Sequence, residues 1–449
     1  MEIRLSDHFT FPRLLRFTLP SVVMMVVTSL YSVVDGLFVS NLVGDLALSA
    51  VNIVMPIAMI VGAFGFMLGT GGSAIVARTL GEGDREKANR YFSLFIWCVV
   101  GLGGLLSLLC VIFMEPIVRL AGASDLLAAG CVTYGRILLA GSIPFMLQTS
   151  FQSFFVAAER PHAGLAFSLA AGGTNMVLDY VFIALMDLGI AGAALATVAG
   201  YCVGGLIPLA GFLSPQAATL RLVPTRFYGR QLLHACANGS SELMSNLSAS
   251  VVGILYNVQL MELMGEKGVA AYSVMMYVDF VFVAAFLGFS VGSAPIVSFH
   301  YGAANHRELQ NVFRKSMAVV IVTSLAMTAL SEGLCRPLAA AFVGYDDALM
   351  GLTVSGFRVF ALCYLFCGVS IFASAFFTAL CNGLVSALIS FLRSFLLRGG
   401  LVFLLPLLLG EDGIWVSVVA AEALGAAAAL AFLAAFRRRY HYGSHRLRA

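Results

Sequence analysis

The chain has 449 residues, of which 60% are hydrophobic and 11% charged, with a formal net charge of +3. Soluble domains carry roughly 25% charged residues, and a mean hydropathy of +0.95 leaves too little polar surface to clothe a water-soluble fold. That composition excludes an ordinary soluble enzyme or nucleic-acid-binding domain and points to lipid as the solvent. The 45 glycines suit helices that pack closely in a bilayer, where small residues let backbones approach.

In chain order, the start MEIRLSDHFTFPRLLRF lacks the pattern of a cleaved signal peptide and reads as a cytoplasmic amphipathic lead-in. Twelve apolar runs of bilayer-spanning length follow, at 14–39, 47–77, 92–114, 131–156, 164–186, 190–213, 232–260, 268–299, 316–336, 352–379, 384–408 and 413–436. None alternates with the dyad period of a barrel strand, so the expected fold is all-α and polytopic.

The basic residues fall in alternate connections. Arg4, Arg13 and Arg16 precede the first run, and Arg85, Lys87, Arg90, Arg160, Arg221, Arg226, Arg230, Arg307, Arg314 and Lys315 fill one set of loops. Arg437, Arg438, Arg439, Arg446 and Arg448 follow the last run. Asp45, Asp187, Glu262, Asp346, Asp347, Glu411 and Asp412 occupy the other set, with Arg119, Lys267 and Arg336 as its cations. The positive-inside rule then places both termini in the cytoplasm and requires an even number of spans.

A shift of 221 residues lays GGSAIVARTLGEGD (71–84) on GSAPIVSFHYGAAN (292–305), matching Gly71 to Gly292 and Gly81 to Gly302. Arg136 meets Arg358 at 222, and Gly189 meets Gly413 at 224. Six spans per half make the repeat parallel, a plan used by secondary transporters. The expected division is an N-terminal six-helix bundle (1–213), a cytoplasmic linker (214–231), a C-terminal six-helix bundle (232–436) and a basic tail (437–449).

Acids inside spans are expensive and need a proton, a partner or water. Asp35, Asp179, Glu242, Asp279 and Glu422 lie within the runs. Tyr31 shares a helix face with Asp35, and Asn175 shares one with Asp179, while Thr197 sits in the next run. Pro20 lacks the donor its helix needs and can bend the first span.

The repeat partners of Asp35, Asn175, Asp179, Thr197 and Pro20 are Tyr256, Gly399, Phe403, Ala421 and Ser241. The scaffold therefore repeats while these polar residues do not, which favours an ion site over a purely structural cluster. Two carboxylates close together in low dielectric cannot both stay ionised, which suits a proton acceptor. The same carboxylates with an amide and a hydroxyl are also hard oxygen ligands for Na⁺. Glu242 and Asp279 are candidate substrate or cation contacts. Arg393 and Arg398 are the expected partners of the second-half acids, and Arg136 and Arg358 are expected anchors near the outer face.

Other patterns carry no site. GTGG (69–72) has neither a preceding strand nor a following Lys-Ser/Thr, the nine cysteines form no CxxC pair, and His300 and His306 lack ligand spacing.

The combination of Pro20 in the first span, LYSVVDGLFV, GGSAIVARTLGEGDREKAN, NMVLDYVFI and SAPIVSFHYGAAN resembles the multidrug and toxic compound extrusion (MATE) family over nearly the whole chain. It is most similar to the MepA-like and DinF-like bacterial branches. Tyr180, where relatives often have Pro, and His300, where Asn is common, depart from the family pattern.

The resemblance implies two six-helix bundles forming a V. It implies a monomeric transporter, not an enzyme, in the bacterial inner membrane, needing no cofactor beyond a coupling ion. It also implies export of organic cations in exchange for H⁺ or Na⁺, with the first-half cation site on Asp35, Asn175, Asp179 and Thr197 beside Tyr31. Two alternatives stand beside this expectation: a flippase for lipid-linked sugars or other lipids, and a channel or non-transporting receptor.

Overall fold

The computed structural model describes residues 3–43, 45–214, 219–344 and 346–443; Pro215 of the expected linker and Arg446 and Arg448 of the expected tail lie outside them. Among the described residues every regular element is helical. The first half comprises α1 (Phe11–Leu42), α2 (Asp45–Gly81), α3 (Arg85–Ile112), α4 (Met114–Leu120), α5 (Asp125–Ala140), α6 (Ser142–Ala157), α7 (Pro161–Asp179) and α8 (Gly189–Leu213). The second comprises α9 (Gly229–Gly302), α10 (His306–Val343), α11 (Asp347–Ala361), α12 (Tyr364–Ala379), α13 (Gly383–Phe391), α14 (Arg398–Leu409) and α15 (Asp412–Phe436). Short π-helical segments, Tyr180–Leu185 and Leu392–Leu397, follow α7 and α13.

Among the described residues, nine helical stretches are long and apolar enough to cross a bilayer. Two more crossings are bent pairs, α5 with α6 at 57° and α11 with α12 at 47°. The 74-residue α9 would measure about 110 Å if straight, far beyond a hydrocarbon core of about 30 Å. It turns at Gly265 (φ 66, ψ −158), a conformation that only glycine adopts readily, and so supplies two crossings. Among the described residues these make twelve crossings, as expected, and the chain is a multi-pass membrane protein.

The fourth span of each half is broken where the sequence reads as one run. Pro144 lacks an N–H and cannot bond back to Ala140; the freed Ala140 carbonyl accepts instead from Ser107 Oγ at 3.2 Å. The break at Gly141 and that at Leu362–Cys363 occupy equivalent places in the repeat.

Glycines on crossing helices fix how the halves meet. A Cβ at Gly81 would run into the Phe299 carbonyl, and one at Gly302 into the Arg78 carbonyl. These contacts exchange under the 221-residue shift, so the pseudo-two-fold axis passes between them. Gly71 lies against Ala235 and Gly239, while Gly292 lies against Thr18 and Ser21, again a symmetric exchange. Small residues permit this backbone-on-backbone contact, the packing that lipid-solvated helices favour.

All these contacts lie toward the end that carries the basic loops. One apolar core there is shared, joining Leu5, Phe9, Phe17 and Val156 to Val297, Leu309 and Phe376. Away from that end the second half has a core of its own, including Val252, Tyr256, Phe360 and Trp415. Nearly all of the remaining core belongs to the first half alone. Joined at one end and separately packed at the other, the halves form a V whose mouth faces away from the basic loops.

The N-terminal lead-in reinforces the joined end. Leu5 N–H donates to Glu159 of the first half at 2.7 Å and Phe9 N–H to Glu308 of the second at 2.9 Å. The Phe9 carbonyl accepts from Lys315 Nζ at 2.7 Å. On the other connection, the segment before α9 lies along α3, with Arg221 N–H donating to Asn89 and Val223 N–H to Ser93.

Candidate functional site

The first-half candidates converge where α1, α7 and α8 meet. Gly172, Asn175 and Asp179 recur at spacings of three and four and share one face of α7. That face meets α1, where the ring of Tyr31 occupies the space a side chain at Gly172 would need. The Tyr31 hydroxyl donates to the Leu169 carbonyl at 3.5 Å, so Tyr31 packs beside the carboxyls without bonding to them.

One turn further along α1, the Asp35 carboxyl lies within hydrogen-bonding reach of Asp179 and Asn175. Asn175 Nδ2 donates to Thr197 Oγ1 at 3.3 Å, and Thr197 Oγ1 donates to the Ala193 carbonyl at 3.0 Å. All four polar residues expected from the sequence are therefore gathered in one place. Asp179 is fully buried and Asp35 nearly so, yet neither Asp179 oxygen nor Asp35 Oδ1 receives a hydrogen bond from a protein donor. Buried acceptors are ordinarily satisfied. Two facing carboxyls with three such unsatisfied oxygens call for a proton shared between them or for a cation.

Two tyrosines absent from the sequence expectation border this pair. Tyr134 lies within electrostatic range of both carboxyls and Tyr201 of Asp35. Tyr134 is fully buried and its hydroxyl lacks a partner; Tyr201 is held by stacking on Phe145, with centroids 4.4 Å apart. A tyrosine inside an apolar run was the available signal. The π-helical turn that begins directly after Asp179 is of a kind often found at functional positions.

The remaining candidates lie elsewhere. α1 continues without interruption through the buried Pro20. Glu242 and Asp279 belong to a second-half network dominated by arginines. Arg398 Nη2 meets Glu422 Oε1 at 2.8 Å and Arg393 Nη1 meets Glu422 Oε2 at 3.4 Å. Asp279 lies within range of Arg398, Glu422 and Tyr364, and Glu242 within range of Arg393. The expected pairing of these arginines with second-half acids is present. The π-helical segment Leu392–Leu397 helps to form it, because its i→i+5 pattern draws Arg393 and Arg398 toward a common face. Arg136 donates to the Val111 carbonyl at 3.1 Å, tying two neighbouring helices of the first half.

Among the described residues, no group of three or more His, Cys, Asp or Glu is placed to hold a metal ion. The Asp35–Asn175–Asp179–Thr197 set has two carboxylates completed by an amide and a hydroxyl, donors that suit a hard monovalent cation as well as a proton. A second, narrow space in the first half lies between Phe151, Phe155, Phe167 and Met24, with Gln148 and Gln152 on its wall. The Oε1 atoms of both glutamines are buried without a partner.

Comparison with known proteins gives one consistent result. Multidrug export protein MepA of Staphylococcus haemolyticus is 22% identical over 328 residues, covering 72% of each chain. The protein of the same name from Staphylococcus saprophyticus is 22% identical over 366 residues, 80% of this chain and 81% of its own. A solved structure of MATE in the straight conformation superposes with a TM-score of 0.91 at 21% identity, covering 97% of this chain and 98% of that one. An outward-facing multidrug resistance MATE family transporter of the MOP superfamily gives 0.90 at 22% identity, with 96% of each chain covered. The family profile described as MatE matches twice, at residues 20–181 and 243–404, two copies 223 residues apart that coincide with the internal repeat; the chain belongs to the MatE family.

Proposed function

We propose that this protein is a secondary active antiporter that exports lipophilic organic cations in exchange for H⁺ or Na⁺ by alternating access. The observation that carries the reading is the buried Asp35–Asp179 pair, in which both Asp179 oxygens and Asp35 Oδ1 lack a protein donor and which Asn175 and Thr197 adjoin. An ion entering from the mouth of the V would be held by these oxygens. Discharged, the two carboxylates repel each other in low dielectric, which favours renewed uptake of a proton or cation.

The site straddles α1 and α7, so its occupancy can shift α1, with Pro20 as the bend. The multidrug export function named for the MepA relatives supports organic compounds as cargo. Aromatic faces attract positive charge, and Phe151, Phe155 and Phe167 border a gap of about 10 Å³ that a lipophilic cation would have to widen. On this reading the protein works as a monomer in the bacterial inner membrane. Its first bundle carries ion coupling, and the basic loops and both termini lie in the cytoplasm.

A lipid-linked-sugar flippase would need unpaired cations in the cleft to hold phosphates. The second-half arginines are instead paired with Glu422, which favours the antiporter.

The test is transport in proteoliposomes with imposed pH or Na⁺ gradients and a panel of fluorescent lipophilic cations. One of the two gradients should drive uptake, and Asp35→Asn and Asp179→Asn should each abolish it. Wild-type transport in both variants would remove the coupling role, and unitary currents in planar bilayers would replace the antiporter with a channel.

A further inference from the structure

We infer that the joined, basic end of the molecule contains a binding site for a phosphate-bearing anion that bridges the two halves. A cavity of about 410 Å³ opens there, lined by Arg78 and Lys87 of the first half and by Arg230, His234 and Asn238 of the second. Liquid water occupies about 30 Å³ per molecule, so the space accommodates a phosphate or a glycerophosphate headgroup.

The charge inside the cavity is unbalanced. Among the described residues Glu82 is its one acid, and it pairs with Arg78 at 3.0 Å. Lys87 makes only a cation–π contact with Tyr91, at 5.9 Å from nitrogen to centroid, and neither Lys87 nor Arg230 has a carboxylate partner among the described residues. Arg230 also stands against the field of its own helix. It lies in the first turn of α9, whose N-cap Tyr228 supplies no side-chain cap and whose first turn holds no acid.

A helix N-terminus favours negative charge and disfavours positive charge. A cation in that turn, lining one cavity with Lys87 and the Glu82-paired Arg78, leaves a net positive field that an anion would relieve. Guanidinium and ammonium groups lining one cavity suit phosphate oxygens, with Arg supplying a planar fork and Lys a point charge.

The geometry also gives the anion a consequence. Its ligands come from both halves at the end where Gly81 and Gly302 hold the bundles together, so a bound anion would hold that end shut. The binding claim itself does not depend on the transport reading.

The test uses the full chain in neutral detergent, titrated with inorganic pyrophosphate by calorimetry. A parallel thermal melt compares phosphatidylcholine nanodiscs with and without phosphatidylglycerol. Saturable binding or a rise in melting temperature is expected with at least one probe. A response to pyrophosphate assigns a soluble phosphate, and a response confined to phosphatidylglycerol assigns a lipid headgroup. Lys87→Gln and Arg230→Gln, both on exposed side chains, should each weaken the response roughly ten-fold, the loss of one charge-assisted hydrogen bond. Arg437→Gln, outside the cavity, should leave it unchanged. No saturable response to either probe would overturn the site. An equal loss in Arg437→Gln would reduce it to diffuse charge attraction, and sensitivity to only one half's variant would overturn the bridge.

Discussion

The two halves place polar groups at the same point of the repeat and treat charge there in opposite ways. In the first half, Asp35 of α1, Asn175 and Asp179 of α7 and Thr197 of α8 form an acid-rich cluster without a cation. In the second half the corresponding helices bring together Tyr256 of α9, Arg398 of α14, and Ser417 and Glu422 of α15. Tyr256 Oη and Ser417 Oγ are 2.8 Å apart, and Glu422 is gripped by two arginines. Tyr256 is the repeat partner of Asp35, and Arg398 and Glu422 are sequence neighbours of the partners of Asn175 and Thr197. One frame therefore holds a buried acid pair on one side and an acid fixed by two arginines on the other.

The largest expected effects come from neutralising one acid in each half. Glu422→Gln takes the fully buried carboxylate from the half-buried Arg393 and Arg398, and breaking a buried pair costs up to about 3–5 kcal/mol. A lower melting temperature and reduced yield of folded protein are expected. Asp179→Asn removes a buried charge that has no cation beside it, so its melting temperature should stay at or above wild type while drug efflux falls at least ten-fold, roughly the loss of one charge-dependent interaction. Thermal melts and efflux assays on both variants separate the two roles. A Glu422→Gln protein as stable as wild type would erase the distinction.

Next in size is a packing change within the first-half site. Gly172→Val puts a side chain where the Tyr31 ring lies, and overfilling a packed interface costs about 1–3 kcal/mol. The strain should appear as a lower melting temperature and lower affinity for the coupling ion. The double variant Gly172→Val/Tyr31→Ala should recover part of the loss, since removing the ring vacates the space. A double variant worse than either single change would place the effect elsewhere.

Much of this comparison was legible in the sequence. Long apolar runs, alternating basic loops and a fixed shift located the spans, the repeat and the first-half acids. Each of these signals rests on the cost of polarity in lipid, which a linear sequence displays directly. Three features were not legible. The breaks at Gly141 and Leu362–Cys363 lie inside unbroken apolar runs and depend on local backbone geometry. The arginine–acid pairing of the second half was expected, but its equivalence to the first-half site was hidden by comparing residues one for one: Arg398 and Glu422 stand one position away from the partners of Asn175 and Thr197, and a neighbouring π-helical turn helps bring the arginines to one face. Tyr134 joins the first-half site from α5, a helix whose closeness to Asp35 only the tertiary fold reveals.

A smaller effect should follow from Thr197→Val, which keeps the shape of the side chain and removes the hydroxyl that accepts from Asn175 and donates to Ala193. The loss is about 1 kcal/mol, a roughly five-fold change in the equilibrium it governs. If Asn175 is positioned by Thr197 to serve the carboxyls, the change should appear in the apparent affinity for H⁺ or Na⁺ and leave the melting temperature nearly constant. A fall in melting temperature with unaltered ion affinity would make Thr197 a structural residue.

The smallest effect is expected at an exposed pair of the second half, which isolates what burial contributes. Lys267 Nζ lies 2.9 Å from Asp346 Oδ2, near the Gly265 turn of α9. The Lys267 hydrogen bond, with the backbone N–H groups of Leu349 and Ala348, holds the Asp346 carboxyl below its ordinary range. A depressed carboxyl pKa contributes stability above the unfolded value and loses it as pH falls through the folded one. Any difference between wild type and Lys267→Ala should therefore be constant from neutral pH down to about 4, the ordinary aspartate value, and fade below it. Because exposed ion pairs contribute little, that difference should be near the limit of detection in a thermal melt and should shrink further with added salt. The Glu422 pair, shielded from water, should respond to neither. Equal salt sensitivity at the two pairs would mean that solvent reaches Glu422, and that burial does not fix its charge.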